Sequence, residues 1–205
     1  MIAPRKTLWS TPLSAVDHCM ERVPLQANDV VCDIGCGDGR IILRWAVLLS
    51  EALSAKGEPE MAETISFRGI DIDSDRIREA THTAEGLKSS GKILPGIQID
   101  FVCKNAMESG AHFRDATVIF MYLIPRGLKK IYPLILGERE KQQQQQQQQQ
   151  QPTMGKQQRG DLRIISYMSK LPILKPQGRA LCKVEHQKEA AWPLYFYLLQ
   201  TNDEE

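Results

Sequence analysis

Two kinds of apolar pattern alternate along the chain: positions spaced three and four apart, and short, nearly continuous runs. The first spacing marks one face of a helix and the second a buried strand. Leu13, Val16, Met20 and Val23 fall on one helical face behind Thr11-Pro12, a hydroxyl cap followed by proline at the first helical position. Residues 12–23 are therefore predicted to form an amphipathic helix. Asn28 and Asp29 break the chain before an apolar run at 30–32. A glycine-rich turn at 35–39 then leads into a long helix marked by Ile41, Ile42, Trp45, Leu49 and Leu53.

Polar residues 56–63 connect to a second predicted strand, 64–70, ending at Asp71. A helix starts near Ser74, with Ile77, Ala80, Ala84 and Leu87 facing inward. Runs at 97–103 and 117–123 predict a third and a fourth strand, the latter almost wholly apolar as a central parallel strand should be. A helix near 128–136 follows. An uninterrupted glutamine run, Gln142–Gln151, cannot bury apolar surface, so a disordered insertion is expected at about 138–160. Strands are predicted again at 162–168, 180–186 and 194–200, and the short link 187–193 permits an antiparallel hairpin. Strands alternating with helices indicate βαβ units. The expected fold is α/β and Rossmann-like: a mostly parallel seven-stranded sheet closed by a C-terminal antiparallel hairpin.

Composition narrows the function. A length of 205 residues fits one domain, taken as 1–205, and 42% hydrophobic with 25% charged residues is ordinary for a packed soluble protein. Lys and Arg total 26 against 25 Asp and Glu, a net charge of +1, so no global field favours a phosphate backbone and nucleic acid is not an expected partner. No run is long and apolar enough to span a bilayer, and Met1–Ser10 lacks the apolar stretch of a secretory signal. Five scattered cysteines read as reduced intracellular thiols. Four dispersed histidines suggest no metal.

The chemistry gathers at Val30-Val31-Cys32-Asp33-Ile34-Gly35-Cys36-Gly37-Asp38-Gly39, an acid at a strand end followed by three alternating glycines at a helix entry. Such glycines let the backbone take positive φ and admit a ligand without a Cβ in the way. Asp33 changes what kind of ligand fits. A nicotinamide dinucleotide sets its pyrophosphate at the helix N-terminus and has no use for a carboxylate there, whereas a cofactor with an ammonium group does. Asp71, ending the second strand, is placed to accept from both hydroxyls of a ribose, while Asp73 and Asp75 suit the cap and first turn of the next helix.

With those residues in place the chain resembles the class I S-adenosylmethionine-dependent methyltransferases. The resemblance implies that Asp33, Gly35, Cys36, Gly37 and Gly39 hold the methionine portion of S-adenosylmethionine and that Asp71 holds the ribose. Lys104-Asn105-Ala106-Met107 stands where the family usually has Asp-Ala near the adenine, so Asn105 would use its amide there. Ile72 and Ala106 complete the implied cofactor-binding set. The Thr11-Pro12 start, the run from Asp33 to Ile42, Ala116–Pro125 and Arg163–Ser166 resemble more narrowly the mitochondrial lysine methyltransferases acting on the adenine nucleotide translocase and the ATP synthase c subunit, with their prokaryotic relatives.

That narrower resemblance implies a protein substrate bearing a lysine, with Tyr122 at the end of the fourth strand orienting the amine. It implies a mitochondrial location. The chain departs from the family in its glutamine run and in having no apolar anchor at its start, which leaves a cytoplasmic location as the alternative. A small-molecule methyltransferase with the same cofactor site, and a cofactor-binding interaction module without activity, are the competing readings. An NAD-dependent oxidoreductase is disfavoured by Gly-x-Gly-x-Gly in place of Gly-x-Gly-x-x-Gly.

Overall fold

The computed structural model describes residues 11–148, 161–183 and 190–200. Seven strands form one sheet: β1 (Val30–Ile34), β2 (Ser66–Asp71), β3 (Gln98–Cys103), β4 (Val118–Met121), β5 (Leu162–Tyr167), β6 (Gly178–Lys183) and β7 (Ala191–Leu199). Their order is β3-β2-β1-β4-β5-β7-β6. The first five run parallel, and β7 lies antiparallel between β5 and β6. The expected parallel sheet with a terminal hairpin is what the chain forms. Order reverses between β1 and β4, and the crevice beyond the carboxyl ends of strands at such a switch is where open α/β sheets take ligands.

Period-two alternation divides the core into two layers. Val31, Phe67, Val118, Phe120 and Ile165 face one side, packed with Val16 and Cys19 of α1 (Ser14–Arg22) and Ile42, Trp45 and Leu49 of α2 (Arg40–Lys56). Cys32, Ile34, Ile70, Ile119, Met121 and Ile164 face the other, against Leu128, Ile131 and Ile135 of α4 (Pro125–Gln148). Helix α3 (Ser74–Ser89) covers β2 and β3, with Ile77, Ala80 and Ala84 buried. All four residues of β4 are buried, as its apolar run requires.

Two sequence expectations are corrected. Thr11 does not cap α1: the helix begins at Ser14, Leu13 stands at its N-cap without a side-chain hydrogen bond, and Thr11 is buried instead. The insertion expected at 138–160 does not begin at 138, because α4 continues to Gln148. At position 138 the helix is still packed on the domain: Glu138 is buried, its carboxylate taking Arg114 Nε at 2.5 Å and, within the helix, Lys141 Nζ at 2.9 Å. Residues 149–160 lie outside the described residues. Strand ends shift by up to three residues from their expected bounds, and the widest shift brings the start of β7 back to Ala191.

Candidate functional site

The turn after β1 is built by backbone geometry. Gly35 N and Cys36 N both donate to the Ile70 carbonyl, at 2.8 and 3.1 Å, fastening the turn to β2. Gly35, Gly37 and Gly39 take φ of +84°, +55° and +75°, a region that L side chains disfavour. Gly39 has a second reason to lack a side chain: a Cβ there would meet the Phe101 ring at 2.7 Å and Ala80 Cβ at 2.9 Å. Close approach of α2 to α3 and β3 thus depends on Gly39, while Gly35 and Gly37 keep the turn open.

Above this turn lies a cavity with about 370 Å³ of empty space, partly continuous with solvent, lined by Asp33, Gly35, Cys36, Gly37, Phe120 and Tyr122, with Thr11, Asp38, Arg40 and Ile41. Asp33 is only 3% exposed, and among the described residues no group donates a hydrogen bond to its carboxylate. Burial, reinforced by the charges of Asp71 and Asp38, pushes its carboxyl up to about 8. A buried carboxylate without a donor is costly and has to be explained. The Cys36 thiol is likewise pushed up by burial and by Asp33 and Asp71, which keeps it a neutral wall.

Asp38 beside it behaves differently. Burial pushes its carboxyl up, but hydrogen bonds and charge from Arg40, with Nε at 2.9 Å, outweigh that and hold it below the ordinary range. The pair closes the floor of the turn. Asp71 stands at the end of β2 and is not part of the cavity lining. Its Oδ2 accepts from Gly37 N at 2.8 Å and its Oδ1 from Asp73 N at 2.9 Å, so one carboxylate couples the glycine turn to the start of α3. Asp73 caps α3, accepting from Asp75 N, as expected.

The remaining expected residues sit on neighbouring loops. Ile72, next to Asp71, is 64% exposed, an uncommon position for a large aliphatic side chain. Asn105 follows β3; its Oδ1 accepts from Met107 N and its Nδ2 donates to Glu108 Oε1, both at 3.0 Å, which leaves one N–H and one lone pair. Ala106 behind it is buried. Tyr122, immediately past β4, lines the cavity, and burial pushes its phenol up.

Sequence reasoning missed Thr11, Phe120, Asp38, Arg40 and Ile41 as lining residues. Asp38 and Arg40 were within reach, since opposite charges flanking the last glycine of such a turn must share its floor. Thr11 was not, because its place depends on α1 packing against α2 and β6.

No family model matches the chain. A protein-lysine N-methyltransferase from Saccharolobus islandicus (strain REY15A) is 29% identical over 116 residues, spanning 56% of this chain and 58% of that protein. An RNA methyltransferase from Salinibacter ruber, solved in complex with S-adenosyl-L-homocysteine, superposes with a TM-score of 0.59 at 20% identity, covering 96% of this chain and 97% of its own. A precorrin 8W decarboxylase from Methanobacterium thermoautotrophicum superposes with a TM-score of 0.52 at 14% identity, covering 98% of this chain and 96% of its own. These likenesses concern architecture, and with the strand order and the acid-glycine turn they show that the chain has the Rossmann-like fold of the class I S-adenosylmethionine-dependent methyltransferases.

Proposed function

We propose that this protein is an S-adenosylmethionine-dependent methyltransferase whose acceptor is a lysine amine on a protein. The observation that carries the cofactor is Asp33: a buried carboxylate at the base of a cavity, without a donor among the described residues, needs a cation. The ammonium of the methionine portion supplies one. Asp71 would accept from the ribose hydroxyls with the lone pairs that Gly37 N and Asp73 N leave free. Exposed Ile72 would cover one face of the adenine, and the Asn105–Ala106 turn would border its edge.

When bound, S-adenosylmethionine supplies an electrophilic methyl group. The protein's own task is to align a neutral amine with it and to exclude water. Tyr122 stands at the switch point beside Asp33 and Phe120, where its ring can form a wall for the amine and its hydroxyl can accept from the amine N–H. A less polar wall also disfavours the charged form of lysine, easing loss of its proton before transfer. The 29% identical lysine methyltransferase supports this choice of acceptor.

Two measurements test the reading. Calorimetric titration should show S-adenosylhomocysteine binding and no NAD binding, and the reverse result overturns the cofactor. Incubation of the protein with methyl-labelled cofactor and a cell extract should place label on lysines of intact protein. Label confined to small metabolites or to RNA would overturn the lysine acceptor.

A further inference from the structure

Among the described residues six large hydrophobic side chains are exposed, and the topology puts five of them at the carboxyl edge of the sheet, around the cavity. Ile72 leaves β2 there and is assigned above to the cofactor. Ile124, 71% exposed, stands three residues past the end of β4. Leu13 heads α1 two residues after Thr11, which lines the cavity. Leu181 and Trp192 reach the same edge by strand register, on opposite faces of the sheet: Trp192 pairs with Cys182 on the α1 and α2 side, and Leu181 alternates to the α4 side. Tyr167, the last residue of β5, pairs with Leu194, which pairs with Ala180. The rungs Leu181–Pro193, Cys182–Trp192 and Lys183–Ala191 therefore continue past β5, three residues and roughly 10 Å at a rise of about 3.4 Å each. The hydrogen bond from Ser14 Oγ to the Lys183 carbonyl, 3.1 Å, ties this overhang to the start of α1.

Charge divides the same edge in two. Asp33, Asp38, Asp71, Asp73 and Asp75 stand at or just past the ends of β1 and β2, on the cofactor side. On the other side, residues 116–137 and 162–184 contain no Asp or Glu, and the β6–β7 connection adds only Glu185 and Glu189, so basic residues outnumber acids there. The two segments present Arg126, Lys129, Lys130, Lys170 and Lys183, all exposed and, among the described residues, in no ion pair with an acid. A net charge of +1 hides this separation.

We infer that the β4, β5 and β6–β7 side of this edge is a docking face for the acceptor, and that its partner is a protein segment with acidic residues and large apolar side chains close to the methylated lysine. The inference rests on the methyltransferase reading and adds the chemistry of its substrate. Exposed apolar side chains gathered along one edge, with Ile124 and Leu181 beside the basic residues, are the material of an interaction site. Cations beside them that no acid neutralises set the sign of the partner and steer its approach. An RNA partner calls for aromatic platforms on which splayed bases stack, and among the described residues this side offers Leu13, Ile124 and Leu181 with Trp192 the one exposed aromatic.

The test uses fluorescence anisotropy on the full chain with S-adenosylhomocysteine bound. The probes are a short lysine peptide flanked by Glu and Leu, the same peptide with Gln for Glu, the same with Ser for Leu, and a single-stranded RNA of similar length. The Glu-Leu peptide should bind at least about tenfold more tightly than either altered peptide, a difference of about 1.4 kcal/mol. The double variant Ile124→Ser, Leu181→Thr should abolish the preference for Leu, and Lys129→Glu with Lys170→Glu should abolish the preference for Glu. S-adenosylhomocysteine affinity, read separately, should stay unchanged in both. Equal binding of the three peptides overturns the docking face, as does tighter binding of RNA that ignores Ile124→Ser. Absence of S-adenosylhomocysteine binding to the unaltered chain would instead overturn the methyltransferase reading beneath it.

Discussion

The rings of Tyr122 and Tyr167 meet edge to face, their centroids 5.0 Å apart and their planes at 78°. Tyr167 is buried, and burial pushes its phenol far up, so it contributes a neutral ring edge. Its backbone is held from both sides: Met168, at φ +67°, donates to the Pro193 carbonyl at 2.8 Å, and Ser166 Oγ donates to the Ser169 carbonyl at 2.7 Å. A non-glycine residue in that region persists only where its surroundings hold it. Tyr122 is thus positioned by a rigid neighbour. Tyr122→Ala should lower kcat and kcat/KM together while leaving S-adenosylhomocysteine affinity intact, the pattern of an interaction made in the transition state. Tyr167→Ala should do the same more weakly, and Tyr167→Phe, which keeps the ring, should restore turnover. Unchanged label transfer in Tyr122→Ala would return that residue to the hydrophobic core.

Asp71 bonds to Gly37 N and Asp73 N in the protein alone, so Asp71→Ala removes support for the turn as well as acceptors for a ribose. The expected loss in cofactor affinity is at least roughly tenfold, from about 1.5–3 kcal/mol for hydrogen bonds to a charged group. Asp73→Ala should shorten α3 by its cap and leave affinity nearly unchanged. Calorimetry on the two variants checks both statements, and an inverted order would move the ribose contact to Asp73.

What the chain reveals by pattern and what it hides differ physically. The strand-ending acids and the Gly35–Gly39 turn were legible because backbone chemistry demands those residue types at that spacing. β4 was legible because a strand buried on both faces admits no polar residue. Thr11 misled, since Thr-Pro satisfies a cap pattern even where packing draws the hydroxyl inward. The overhang of β6 and β7 past β5 was hidden, because register between distant strands leaves no mark in local periodicity. The split of charge along the edge was written in the sequence, yet only the strand order brings 116–137 and 162–184 side by side.

At the opposite end of the sheet, Asp29 accepts from Gln26 N at 2.6 Å, from Thr117 Oγ1 at 2.6 Å and from the Arg163 guanidinium, joining the starts of β1, β4 and β5. Arg163 also donates to the Pro24 carbonyl at 2.9 Å. Breaking one partner of a buried pair strands the other, at a cost of about 3–5 kcal/mol. Arg163→Met should therefore lower Tm sharply in thermal denaturation. S-adenosylhomocysteine affinity of the protein that remains folded should not change, because the network lies a full strand length from the cavity.

Glu138 marks where the domain's hold on α4 ends. Glu138→Ala removes the acceptor for Arg114 and Lys141, both exposed enough for water to replace it, and should cost no more than about 1 kcal/mol in thermal stability. Deleting Gln142–Gln151 should leave both Tm and cofactor affinity nearly unchanged, since shortening a polar surface segment alters closure entropy little. A large loss of Tm on deletion would show that the glutamine run packs against the domain.

The last prediction follows from Asp33. Its carboxyl is raised from 3.8 to about 8 by burial, then by Asp71 and Asp38, so the folded protein holds a proton that the unfolded chain has released. For a raised acid the stabilising contribution is complete below pH 3.8 and is lost as pH rises through about 8. The ligand-free protein should therefore lose Tm progressively between about pH 4 and pH 8 and level off above that, beyond the change caused by its other groups. Asp33→Asn, which imitates the protonated form in size, should flatten that decline and leave the variant more stable than the unaltered chain at pH 9. A cation reverses the preference. Binding of S-adenosylhomocysteine through its ammonium selects ionised Asp33, so below pH 8 it must expel a proton, and affinity should climb with pH until Asp33 is ionised without help. Calorimetry in two buffers of different ionisation enthalpy counts that proton directly. The same Asp33→Asn that protects the fold should abolish both the proton release and most of the affinity, because the amide offers no charge to the ammonium. A variant that gains stability and still binds as tightly would show that the ammonium is held elsewhere, and the case for this cofactor would lose its strongest support.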